Sequence, residues 1–211
     1  VSGPTWTANA SGVASRYPTV EARWHFGAEG TNIQLPTNRI TAVLIRRKID
    51  TTLRTAYSFG AGASNATVIN TLNPWTDGIT YWDYGGASGA NRLTWSGYAV
   101  STAVETWVFV AGTSGSAIYF NGVQKAVQTT AITRTAGTAN VIVNGWSAGN
   151  GDVQEINLFL LLNAEWSKDM VATWHAEPYS FLLAQSPNKM YFFPTGASAV
   201  FRRLGLLGVG N

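Results

Sequence analysis

The sequence predicts an all-β protein: two antiparallel sheets packed as a sandwich, with one short helix near the C-terminus. Three observations carry that expectation. The segment Trp107 to Ala126, WVFVAGTSGSAIYFNGVQKA, alternates apolar β-branched and aromatic runs with turn residues. Its Asn121-Gly122 pair is the dipeptide that most readily takes the positive φ angles of a tight hairpin. Other short apolar runs are punctuated by Gly, Asn and Pro at the spacing of a strand-rich fold. Finally, charged residues make up only 12% of the 211 positions, against 22 glycines and 12% aromatics. That suits sheets with polar, uncharged faces, and it is the opposite of a disordered composition.

The elements follow in order. Residues 1–30, rich in Ser, Ala, Gly and Thr with isolated Trp6, Tyr17 and Trp24, are expected as a partly extended N-terminal arm. Ile40–Lys48 is the first strand, with Ile40, Ala42, Leu44 and Arg46 on one face and Thr41, Val43, Ile45 and Arg47 on the other. Both faces are largely apolar, so it belongs in the middle of a sheet covered on both sides. Shorter strands follow at 56–60, 67–69 and 78–84, then the meander at 107–126, then strands at 139–144 and 153–162. Ser167 is a good N-cap, Met170, Val171 and Trp174 share one helical face, and Pro178 ends the helix. A closing strand is expected at 190–193. The organisation is thus an arm at 1–30, a sandwich at 31–194 and a Gly-rich apolar tail at 195–211.

Composition also excludes classes of function. The formal net charge is +3, and ten arginines and four lysines are scattered apart from Arg46-Arg47-Lys48 and Arg202-Arg203. No clustered basic stripe marks nucleic-acid binding. No apolar run approaches the roughly 20 residues of a membrane-spanning helix. The absence of cysteine rules out disulfides and thiolate metal sites. The chain opens on Val1 rather than Met, as a processed or partial chain would.

The hairpin WVFVAGTSGSAIYFNGVQKA resembles the core hairpin of laminin-G-like, concanavalin A-like domains. The stretch from Gly151 through Leu162 and the capped helix resembles the closing strand and following helix of that family. Glu177–Leu182, EPYSFL, resembles the segment that ends such domains in bacteriophage virion proteins. The resemblance covers about residues 35–194. It implies a jelly-roll sandwich used for glycan or protein binding, in phages often as a decoration or tail module on the virion surface. The concanavalin A-like glycanases share an E-x-D-x-x-E strand. Here Asp152 and Glu155, three apart, fall on opposite faces of a regular strand and do not form an acid–base pair.

Other catalytic patterns are missing. His25 and His175 lie in no motif with an acidic partner, no G-x-S-x-G elbow occurs, and Gly85 to Gly89 lacks the phosphate-loop lysine. A non-enzymatic protein without a cofactor is therefore expected. Calcium is the one cation the resemblance brings in, with Asp77, Asp83 and Asp152 as candidate ligands beside Asn91 and Asn150. The functional lead is aromatic. Trp75, Trp82, Tyr84, Trp95 and Trp146 stand at strand ends or turns beside Asp, Asn and Gly, the residue types that stack on sugar rings and bind their hydroxyls. The competing role for each ring is core filling. Phe201, Arg202, Arg203, Leu204, Leu206 and Leu207 of the tail suit docking on a partner, such as capsid or tail subunits or a second copy of the chain. The leading expectation is thus a structural or decoration protein of a phage-like virion. A carbohydrate-binding module for host or surface adsorption is the alternative, and a glycan-cleaving enzyme a remote one.

Overall fold

The structure, a computed structural model, describes residues 5–9, 12–17, 24–26, 33–34, 36–54, 58–61, 68–135, 138–139, 141–144 and 151–180. The chain divides into two compact units, 1–177 and 178–211, and the elements below all belong to the first. They are β1 (Thr5–Asn9), β2 (Gly12–Tyr17), β3 (Trp24–Phe26), β4 (Ile33–Gln34), β5 (Ile40–Lys48), β6 (Phe59–Ala61), β7 (Ile69–Leu72) and β8 (Thr80–Tyr84). There follow β9 (Arg92–Trp95), β10 (Val104–Gly112), β11 (Gly115–Phe120), β12 (Val123–Gln128), β13 (Thr138–Ala139), β14 (Val141–Val143), β15 (Gln154–Leu162) and the helix α1 (Lys168–Ala176). They form a seven-stranded sheet, β1-β2-β15-β5-β10-β11-β12, a six-stranded sheet, β3-β14-β6-β7-β8-β9, and a two-stranded pair, β13-β4. The fold is the expected all-β sandwich with one short helix.

The strand β5 shows how the pattern becomes a layer. It lies fourth of seven, between β15 and β10. Its Ile40, Ala42 and Leu44 join Trp107, Phe109, Ala111 and Ile118 of the same sheet against Phe59, Ile69, Trp82, Tyr84 and Val143 of the other. Aromatic rings cross the gap: Trp82 lies 5.6 Å from Phe109, and its indole N–H donates to the Val110 carbonyl at 2.9 Å. Trp107 is fully buried and stacks on Phe109 at 5.7 Å. The opposite face of β5, with Val43 and Ile45, is buried as well. The segment leading into α1 is bound there, because the Thr41 hydroxyl donates to the Ala164 carbonyl and accepts from the Trp166 N–H. Ser167 caps α1 by accepting from the Met170 N–H at 3.2 Å, and Val171 and Trp174 turn inward. Trp166 supports Trp174 at 6.1 Å. A strand apolar on both sides therefore had two layers to cover it.

Residues 1–30 are more than an arm. β1 and β2 form a hairpin that extends the large sheet beside β15, and β3 pairs with β14 at the edge of the smaller one. Their Ala, Ser, Thr and Gly content hides strand pairing, because backbone hydrogen bonds form without a strong apolar period. β9 was missed for a similar reason, since Arg-Leu-Thr-Trp offers a single alternation. The strand expected at 190–193 lies outside the described residues.

The hairpin turns take the geometry their residues require. Asn121 and Gly122 have φ of 49° and 75°. A Cβ on Gly122 would stand 2.3 Å from the His175 ring, whose Nδ1 is 2.9 Å from the Thr106 hydroxyl. At Gly115, φ is 118° and a Cβ would meet the Gln128 backbone carbonyl at 1.9 Å. Gly122→Ala is expected to cost about 1–2 kcal/mol through its left-handed backbone. Gly115→Ala costs more, because a backbone carbonyl yields less readily than a half-buried imidazole. Thermal melts of the two variants check that order.

Candidate functional site

One end of the sandwich collects the C-terminal ends of β5, β7, β9 and β14 and the N-terminal ends of β8, β10 and β15. There the inner face of β5 changes character, from Ile40, Ala42 and Leu44 to Arg46 and Lys48, both buried. An ion between two sheets must be paired and hydrogen-bonded, and Arg46 is. Its Nε donates to Glu105 at 3.2 Å, and its Nη1 to Ser58 at 3.1 Å and Gln154 at 3.3 Å. Its Nη2 donates to the Asn73 carbonyl. Glu105 also accepts from the Tyr98 hydroxyl at 2.6 Å and the Trp107 indole at 3.1 Å. Lys48 pairs with Asp152, which takes a second cation, Arg54, at 3.2 Å. Arg54 in turn forks onto Asp50 with two bonds of 2.7 Å. Asn144, at a positive φ of 62°, grips the Asp152 backbone with its side chain: Nδ2 donates to the Asp152 carbonyl, and Oδ1 accepts from the Asp152 N–H and from Gln154.

The result is a hub that ties down the loops above it. Asp50 and Arg54 anchor the connection after β5, Asn73 the β7–β8 loop, Tyr98 the segment after β9, and Asn144 with Asp152 the entry to β15. Burial acts to lower the pKa of Arg46, but Glu105, Tyr98 and Asp152 outweigh it and raise it. Burial is also the main cause lowering Lys48, against the pull of Asp152. The Arg54 fork holds Asp50 well below the usual carboxylate range.

Burial pushes the phenols of Tyr98 and Tyr84 up, Tyr84 to about 12, where its hydroxyl donates to the Pro36 carbonyl. A folded-state pKa above the unfolded 10 contributes stability that is present below pH 10 and lost as pH rises toward 12. For Tyr84 the two-unit difference amounts to about 2–3 kcal/mol at most. Tyr81, Tyr119 and Tyr179 are raised as well, so spectrophotometric titration is expected to show much of the tyrosine absorbance changing above pH 10, with the buried Tyr84 and Tyr98 ionising only as the fold is lost. Titration of all eight tyrosines in one step near pH 10, with the fold intact, contradicts this.

The expected site residues are distributed unequally. Trp82 and Tyr84 are 1% and 0% exposed, so the sugar-stacking role expected for them gives way to core filling. They stand on alternate positions of β8 with Thr80, facing the other sheet. Trp95 is half-buried, its ring against Tyr98, Trp107 and Phe120, with Lys125 at 5.6 Å. Trp75 is half-buried in the anchored β7–β8 loop, whose backbone closes through Trp75 N–H to the Ile79 carbonyl and Gly78 N–H to the Trp75 carbonyl. Trp146 lies outside the described residues, as do Asn150 and the docking candidates Phe201, Arg202, Arg203, Leu204, Leu206 and Leu207.

The three candidate calcium ligands do not converge. Asp77 is exposed and accepts from the Ile79 N–H at 2.9 Å and the Tyr81 hydroxyl at 2.5 Å. Asp83 is fully buried and bound by Arg92 through bonds of 2.6 and 2.7 Å. Asp152 serves the hub. No group of three or more metal-binding side chains occurs among the described residues. Glu155, on the opposite side of the sheet from Asp152, pairs with Arg47 at 2.9 Å. Arg92 also lies 4.6 Å from the Tyr81 ring, so Asp77, Tyr81, Arg92 and Asp83 form a polar chain that runs from the β7–β8 loop along the outer side of β8 and β9. The hub itself was not foreseen. Its signal was available in the alternation of β5, which places an arginine and a lysine on an otherwise apolar inner face.

No protein-family model and no curated protein sequence matches the chain. Solved structures share its fold at low identity. Domain 4 of an extracellular arabinanase from Geobacillus stearothermophilus, in complex with arabinotriose, is 13% identical with a TM-score of 0.55, covering 82% of this chain and 81% of that one. The binding domain of botulinum neurotoxin serotype G is 12% identical with a TM-score of 0.57, covering 84% of this chain and 45% of that one. A Trypanosoma rangeli sialidase in complex with sialic acid is 14% identical with a TM-score of 0.54, covering 77% of this chain and 27% of that one. The chain thus shares a jelly-roll-like β-sandwich fold with these structures.

Proposed function

We propose that the protein is a non-enzymatic carbohydrate-binding module whose glycan surface is the loop end built on Arg46 and Lys48. The observation that carries this reading is Trp75, a half-buried indole in a loop bolted to a buried ionic hub. Asp77 lies in the same loop, and the Tyr81–Arg92 stack stands beside it. Sugars are held by aromatic faces with a few fixed polar groups, and the fixing matters because a rigid loop loses less entropy on binding. Support also comes from the fold neighbours, one of which holds arabinotriose and another sialic acid.

In the setting implied by the sequence resemblance, the module is carried on the surface of a phage-like virion, attached to capsid or tail subunits, with its loop end facing host or environmental glycans. Mass spectrometry of purified particles tests that setting by copy number.

Isothermal titration of the protein against neutral and acidic oligosaccharides tests the glycan reading. Binding is expected, and Trp75→Ala is expected to weaken it at least tenfold, about 1.4 kcal/mol. Equal binding by wild type and Trp75→Ala, or no binding across a broad panel, contradicts it.

A further inference from the structure

Beside the hub, where β7 ends and β8 begins, three buried polar atoms have no hydrogen-bonding partner in the protein: Thr71 Oγ1, Asn73 Nδ2 and Thr80 Oγ1. Their residues are 0%, 2% and 0% exposed. Thr71 lies opposite Trp82 in the β7–β8 ladder, and Thr80 is two positions before Trp82 on β8. Both threonines therefore face the interior, on diagonal positions about 7–8 Å apart. Asn73 follows directly on β7, and its other groups are engaged: its carbonyl by Arg46 and its Oδ1 by the Ser58 hydroxyl. Buried polar atoms are nearly always satisfied, by protein or by an enclosed molecule, and three at one place indicate a common partner.

From this clustering we infer that the core beneath the Trp75 loop encloses a hydration site, in which bound water bridges Thr71, Asn73 and Thr80. The chemistry defines the guest. The asparagine nitrogen only donates, so the guest accepts there, whereas each hydroxyl takes either role. The surrounding charges already balance in pairs, Arg46 with Glu105, Lys48 with Asp152 and Arg54 with Asp50, which favours a neutral guest over an ion. Water meets both conditions. The inference does not depend on the loop end binding glycan. It assigns the water a structural place, joining the β7–β8 ladder to the residue that carries the loop.

Thr→Val substitution decides the matter through the sign of its effect, because valine keeps the shape and removes the hydroxyl. An enclosed water loses a partner, so Thr71→Val and Thr80→Val each lower the melting temperature, by about 2–4 °C. The double variant then departs from additivity, since both changes act on one guest. In a dry core, removing an unsatisfied hydroxyl raises the melting temperature, and that result for either variant overturns the proposal. Wild-type protein gives a second reading by NMR. Water cross-peaks of the sign of a long-lived bound molecule are expected at Thr71, Thr80 and the Asn73 side-chain amide, and their absence at all three also overturns it.

Discussion

Arg46→Met is expected to destabilise the fold by about 3–5 kcal/mol, measured by chemical denaturation. Methionine approximates the volume of arginine but satisfies none of Glu105, Ser58, Gln154 or the Asn73 carbonyl. The cost comes chiefly from leaving Glu105 buried without its cation, because a pair separated inside a protein loses far more than the pair itself contributes. The double variant Arg46→Met/Glu105→Gln therefore recovers part of the loss. Arg46→Lys recovers less than its charge suggests, since an ammonium cannot address four acceptors with the geometry of a guanidinium. The effect also spreads to the β7–β8 loop, which is tied to Arg46 through Asn73, so proteolysis in that loop quickens. A loss below 1 kcal/mol with an unchanged loop contradicts the role of Arg46 as the hub.

The second large effect is at Trp82. Trp82→Ala is expected to cost about 3–5 kcal/mol, as for other large-to-small changes in a core. The ring is 1% exposed, contacts Phe59, Tyr84 and Phe109, and spends its N–H on Val110. Trp82→Phe keeps much of the contact and loses less. Trp75→Ala, by contrast, is expected to shift stability by under about 1 kcal/mol, as for other substitutions away from the core. Denaturation of the two alanine variants side by side separates a core indole from a half-buried loop one. Equal losses contradict the distinction.

These two tryptophans show what was legible in the sequence. Trp75 and Trp82 stand seven residues apart among the same Asp, Gly and Tyr neighbours, so local composition could not sort them. Parity does: Thr80, Trp82 and Tyr84 face one side, Tyr81 and Asp83 the other, and only the pairing of β8 with β7 tells which side is the core. The central strand, the hairpin and the capped helix were legible because each rests on a local signal: an apolar run, an Asn-Gly turn, a serine followed by an apolar helical face. The hub was not, because its ionic partners are 59 and 104 positions apart in the chain and meet only through sheet register. The strands of residues 1–30 were hidden because small polar residues pair through backbone alone.

The most direct test of the loop end as a glycan surface is to follow the indole N–H signals by NMR while an oligosaccharide that binds is titrated in. The signal of Trp75 is expected to shift in a saturable way, with smaller changes at Trp95, while those of Trp82 and Trp107 stay fixed in the core. Saturable binding that leaves Trp75 unmoved and shifts residues away from this end of the sandwich would contradict the assignment.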